Sequence, residues 1–230
     1  MMVDIFSSFD DHNSMFIFLY PLNWLLCILP FFFFNSTYWI YPTKFIILFM
    51  FMKQIINSQI TRSFSMNMGG FSLLTSSLFI MLIILNLMGL VPYSFSPTSH
   101  LVLSFSLSLP LWLSLLISSY QNNYFSSLAS LLPSGTPTFL TPFLPLIEFM
   151  SISVQPITLA IRIAANISAG HIILTLIGNF LTLSMINNYI MTTTMVMIIQ
   201  IMYFIFEIGI AIIQAYIFSL LVTLYSDNHQ

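Results

Sequence analysis

Apolar runs of membrane-spanning length alternate along this chain with short polar breaks. Met15 to Phe34, Phe71 to Val91 and Leu101 to Tyr120 carry no charged residue, and each approaches the ~20 residues that a helix needs to cross a hydrocarbon core. Pro21 and Pro30 lie inside or near the ends of the first run, where Phe31 to Phe34 read as lipid-facing filler. The segment KFIILFMFMKQIINSQITR has an unbroken apolar run only from Phe45 to Met52, too short to span. Its polar residues Lys53, Gln54, Asn57, Ser58, Thr61 and Arg62 recur close to an i, i+4 pattern. That spacing predicts a helix over 44–62 lying in the interface, its basic side toward the headgroups. Gly69-Gly70 breaks the chain before the next two spans, which the Pro-punctuated turn PYSFSPTSH joins as an antiparallel hairpin. Pro110 is expected to kink the second of these, as membrane helices tolerate. A polar, Pro-rich loop follows over 121–147, with a short interfacial segment.

The last third changes scale. Glu148 to Ser184 and Ile190 to Ser226 are each 37 residues, separated by MINNY. A continuous helix of that size is about 55 Å long against a core of about 30 Å. Each is therefore broken, with Pro156 as the bend in the first, or both lie strongly inclined as an antiparallel pair. The expected fold is a single all-α integral membrane domain over 1–230: one upright N-terminal span, an interfacial amphipathic helix, a transmembrane hairpin and two long tilted helices.

Composition narrows the class. Only 4 Lys+Arg and 6 Asp+Glu occur among 230 residues, with 58% hydrophobic positions, whereas soluble domains carry about a quarter charged residues. Cys27 stands alone, so neither a disulfide framework nor a thiolate metal site is available. The N-terminus holds Asp4, Asp10 and Asp11 and no basic region, unlike a signal or transit peptide. Three of the four basic residues, Lys44, Lys53 and Arg62, fall in one connection. By the positive-inside rule that connection faces the matrix or cytoplasm and the acidic N-terminus the other side.

The fourth basic residue, Arg162, sits in the run PITLAIRIAANISAGHIILTLIG with no acid within a dozen residues. A guanidinium cannot neutralise itself by losing a proton. Placing it near a bilayer centre costs roughly 3 kcal/mol on insertion scales, so it marks contact with an acidic partner or a water-filled cavity. Glu148, Gln155, Arg162 and Ala169 are seven apart and Asn166 is four beyond Arg162, so they share one helical face. His171 falls on roughly the opposite one. On the second long helix, Gln200, Tyr203, Glu207 and Gln214 form another polar stripe. Any one titratable member of this set has a hydrogen-bonded structural role as its rival reading. Together, Glu148, His171 and Glu207 favour a proton pathway, because intramembrane Glu and His chains mark relays. Counting spans from the basic connection puts Glu148 near the matrix side, His171 nearer the other face and Glu207 at middle depth, where it can meet His171. A permanent cation between two such routes blocks direct leakage, while a carboxylate carrier could pass it. At a few ångströms and an effective dielectric near 20 the attraction is on the order of 4 kcal/mol.

LASLLPSGTPTFLTPFLPLIEFMSISVQPITLAIRIAANISAGHIILTLIG resembles the signature of the subunit a family of F-type ATP synthases in its mitochondrial form, and NLMGLVPYSFSPT is similar to the same family's hairpin. The resemblance implies a non-catalytic stator subunit of the mitochondrial inner membrane, beside a rotating c-ring and among other membrane stator chains. It implies that Arg162 faces the ring carboxylate, that His171 and Glu207 line the intermembrane-space half-channel, and that Glu148 belongs to the matrix half-channel. Asn166 and Gln214 match polar positions near the arginine, with Gln155 as a supporting group; Asp227 either marks the matrix exit or is a solvated C-terminal acid. The expected orientation is N-terminus toward the intermembrane space and C-terminus toward the matrix.

Other classes fit less well. A redox subunit needs paired intramembrane histidines, yet His12, His100 and His229 fall in terminal or loop stretches, where His100 reads as solvent-exposed. A membrane scaffold explains the hydrophobicity but not Arg162. The same architecture coupled to Na+ is a further alternative. No Gly-rich Lys loop is present to cradle a nucleotide; no cofactor or metal is expected, and the partners are protein and lipid rather than nucleic acid.

Overall fold

The computed structural model describes residues 9, 44–91, 95–122, 124–129, 132, 141, 143–187 and 189–228. The expected first span over 15–34 lies outside them, as does the stretch 133–140 within the expected loop over 121–147. The described residues are helical with no strand: α1 (Lys44–Ile60), α2 (Phe71–Gly89), α3 (Leu101–Asn122), the short α4 (Tyr124–Ala129), α5 (Leu144–Ile186) and α6 (Ile190–Asn228). Single 3-10 turns at Phe64–Asn67 and Pro97–Ser99 precede α2 and α3. Four helices, α2, α3, α5 and α6, are long and apolar enough to cross a membrane.

Local chemistry explains where these helices begin. Gly70, before α2, has φ +84°, a left-handed conformation that penalises a Cβ by roughly 1–2 kcal/mol. The two long helices exceed their sequence estimate, at 43 and 39 residues. Pro145 lies in the first turn of α5, where a missing backbone N–H takes nothing from the hydrogen-bond ladder. Pro110 and Pro156 lie inside α3 and α5 without ending either. The serines of α3 return their hydroxyls to carbonyls three residues back, as in Ser104 to Leu101 at 3.0 Å and Ser118 to Leu115 at 2.8 Å. A Ser-rich segment can thereby enter lipid with its donors satisfied.

Packing is organised around α5 and α6, which make the most extensive contact in the structure. The buried positions of α5 include Leu159, Ala160, Ile163, Ala164, Ile167 and Gly170, a helical-period stripe. Its counterpart on α6 runs through Glu207, Ala211, Gln214, Ala215, Phe218 and Val222. Lipid is as apolar as a leucine side chain, so van der Waals fit drives such pairing, and the small residues let the backbones approach. The main partner of α2 is α6 and that of α3 is α5. The two spans joined by the Pro-rich turn therefore pack chiefly on different members of the central pair. One apolar cluster links five helices, from Ile56 of α1 through Leu82 of α2, Leu115 of α3 and Ile163 of α5 to Phe218 of α6.

Candidate functional site

The polar groups of α5 and α6 meet in two places along the central pair. In the first, Asn166 Nδ2 of α5 donates to Gln214 Oε1 of α6 at 2.8 Å. Gln214 is buried and Asn166 half-buried, so this bond satisfies amide dipoles that lipid would leave exposed. Arg162, one turn before Asn166, is half-buried. It forms no ion pair with an acid among the described residues; Tyr225 of α6 is within its electrostatic reach. A cation with no acid beside it among the described residues is chemically open to a carboxylate from elsewhere. Gln155, two turns before Arg162, is half-buried, and its Oε1 is buried without a hydrogen-bond partner among the described residues.

The second cluster joins three helices. Glu207 is 2% exposed, and its carboxylate rests directly on Gly170 of α5. A Cβ built at Gly170 would stand 1.6 Å from Glu207 Oε1, a distance no atom pair tolerates. Glycine there leaves the space that the carboxylate fills. Tyr203, one turn earlier on α6, is the side chain within hydrogen-bonding and electrostatic reach of that carboxylate. His171 is half-buried, with its ring within hydrogen-bonding reach of the backbone of Gly89 at the end of α2. The ring of Phe9 meets the His171 ring edge-on at 6.0 Å. From α2, Asn86 Nδ2 donates to the Ala211 carbonyl of α6 at 3.3 Å. Among the described residues, Glu207 Oε2, His171 Nε2 and Asn86 Oδ1 are all buried without a hydrogen-bond partner, which concentrates unspent polarity where α2, α5 and α6 converge.

The arrangement separates the predicted residues along one axis. Glu148 is exposed near the start of α5, fourteen residues before Arg162, or about 21 Å along a helix. His171 lies nine residues beyond Arg162, about 14 Å in the other direction. Arg162 thus stands between the two titratable side chains, with Asp227 exposed at the far end of α6. Glu207 reaches α5 at Gly170, the residue preceding His171. His100 differs from its sequence reading: it is half-buried, with its ring 5.2 Å from that of Phe95, because the turn folds back against α2 and α5.

Sequence reasoning passed over Gly170, Asn86 and Gly89. Asn86 had a signal, a lone carboxamide in the span FSLLTSSLFIMLIILNLMG. Gly170 had a weaker one, since its use depends on which side chain the partner helix brings opposite. Gly170→Ala is expected to drive the Glu207 carboxylate from its seat and lower proton flux several-fold in reconstituted vesicles. Gly178→Ala, with nothing within 4 Å of the added methyl, should leave flux unchanged; equal effects would show that the seat does not matter.

Comparison with known proteins places these features in a family. Residues 15–227 match the family described as ATP synthase A chain. The chain is 37% identical to ATP synthase subunit a of Artemia franciscana over 99% of its own length and 100% of the relative's. It is 39% identical to ATP synthase subunit a of Drosophila melanogaster, covering 99% of both chains. ATP synthase F(0) complex subunit a of Mammuthus primigenius is 42% identical over 76% of each.

Proposed function

This chain belongs to the ATP synthase A chain family, non-catalytic subunits that translocate protons in the Fo sector, and from that premise we propose that it does so through two offset half-channels parted by Arg162. The observation that carries the reading is the position of Arg162, free of any acid among the described residues and lying along α5 between an exposed Glu148 and the seat of a buried Glu207. The family favours protons over sodium as the coupling ion. A scaffold or redox role is not what these relatives are.

In the proposed route, a proton enters between α2, α5 and α6 and is handed along His171 and Glu207. From there it passes to a carboxylate on a moving partner, the c-ring that the sequence resemblance implies. A protonated carboxyl is neutral and turns away through lipid. Returning ionised on the other side, it has released its proton toward Glu148 and is drawn to Arg162. The fixed charge raises the energy of any proton crossing directly between the routes, and the Asn166–Gln214 bond at 2.8 Å holds α5 and α6 in register beside it. Gln155 lies on the Glu148 side as a supporting polar group, and Asp227 is a candidate for the exit on that side.

The architecture follows the same reading. Helices of about 65 and 59 Å cannot stand upright in a core of about 30 Å, so α5 and α6 lie strongly inclined as an antiparallel pair. The membrane is the mitochondrial inner membrane, with the N-terminus toward the intermembrane space and the C-terminus in the matrix. The ring of Phe9 against that of His171 supports this orientation by placing Phe9 beside the outer route.

Side-specific labelling tests the two-channel reading. With Cys27 replaced by Ala, Glu148→Cys should react with a membrane-impermeant thiol reagent only from the matrix side, and His171→Cys only from the intermembrane-space side. Reaction of both from one side would sink the offset arrangement.

A further inference from the structure

Helix α1 divides into three sectors, and among the described residues only one has a partner. Ile56 and Ile60 are buried in the central cluster, and the amide of Gln59 hydrogen-bonds the hydroxyl of Tyr216 on α6. At about 100° per residue, Leu48, Phe51 and Ile55 form a second sector roughly a third of a turn around from the first. They are 53%, 65% and 46% exposed. Lys53, Gln54 and Asn57, all exposed, occupy a third, mainly polar sector facing away from the second, with the exposed Met50 as its one apolar member. A helix seated flat beside a membrane protein has this division: sideways to its own core, down to acyl chains, up to water. The cations add what a merely greasy surface lacks. Lys44 begins the helix and Arg62 follows its last turn, both exposed and both aligned with the apolar sector, so that sector is closed at each end by a positive charge.

We propose that this sector of α1 is a binding site for anionic phospholipid, with acyl chains along Leu48, Phe51 and Ile55 and a phosphate at Lys44 and at Arg62. The occupant is argued from charge complementarity. The sector has no acid, and a basic side chain near an anionic surface gains about 1 kcal/mol, which a zwitterionic lipid does not return. The proposal rests on the membrane reading above only for the leaflet, the one on the matrix side. Its consequence reaches the stator pair. Lipid that seats α1 also steadies Tyr216 through Gln59, two residues from the Gln214 that holds Asn166.

The test uses the holoenzyme reconstituted with phosphatidylcholine and phosphatidylglycerol, then re-extracted, with retained lipid measured by mass spectrometry. Lys44→Gln with Arg62→Gln should retain several-fold less phosphatidylglycerol and unchanged phosphatidylcholine. The charge-conserving pair Lys44→Arg with Arg62→Lys should retain as much as the unaltered chain, and so should Lys53→Gln in the aqueous sector. Equal retention by the neutralised pair would overturn the proposal, as would a parallel loss of both lipids or a matching loss from Lys53→Gln. These readouts do not depend on proton flux, so their failure is separable from failure of the half-channel reading.

Discussion

Arg162→Ala is expected to abolish proton-driven ATP synthesis while the assembled complex retains ATP hydrolysis in its catalytic sector. The attraction between a guanidinium and a carboxylate at a few ångströms is on the order of 4 kcal/mol at an effective dielectric near 20, or about a thousandfold in an equilibrium. Without it, nothing favours deprotonation of the passing carboxyl at the boundary, and nothing repels a proton crossing between routes. The variant should therefore fail twice: synthesis falls to background, and passive proton leak through the Fo sector rises or the ring stalls. Arg162→Lys is the sharper probe. A lysine keeps a positive charge but is a compact point charge that loses its proton more readily when desolvated. It should preserve assembly and restore only a small fraction of the rate. Measured in vesicles under an imposed pH gradient, wild-type synthesis in Arg162→Ala would remove the partition from the mechanism. Because Arg162 has no acid partner among the described residues, its loss leaves no buried carboxylate stranded there, and the defect should appear in transport rather than stability.

Glu207→Gln is expected to cut proton flux by roughly 10²–10⁴, the span over which positioned acid–base groups act, with little change in helix packing. Glutamine nearly matches glutamate in volume, so it can rest on Gly170 and stay within reach of Tyr203 while carrying no exchangeable acid proton. The substitution therefore separates titration from shape. Glu207→Asp retracts the carboxylate by one methylene from the glycine seat and should give an intermediate rate. If Glu207→Gln conducts like the unaltered chain, the outer route does not pass through this carboxyl. Comparison with Gly170→Ala, which leaves the carboxyl in place chemically but moves it, then tells whether identity or position limits the flux.

Much of this protein was legible in its residues. The uncharged runs required membrane helices because their backbone polar groups have no water to bond, and a lone guanidinium among them required a function because it cannot shed its charge. Seven-residue spacing placed Gln155 and Arg162 on one face of α5, and i, i+4 spacing placed Tyr203 beside Glu207 on α6. These are intrahelical relations, set by the 3.6-residue period alone. Helix α5 begins within the stretch expected as loop because the first turn of a helix accepts proline, so Pro145 belongs to the helix.

What the chain could not state by itself is which helix lies against which, since every face of these segments is apolar enough for lipid. Only tertiary packing decided that Glu207 comes down on Gly170, that Asn166 pairs with Gln214, that His171 meets the end of α2 at Gly89, and that α2 and α3 divide between α6 and α5. Without a hydrophobic force to sort one apolar surface from another, the choice is made by small residues that admit close approach and by carboxamides that find each other. Those are properties of pairs of helices, and no single stretch of sequence contains them.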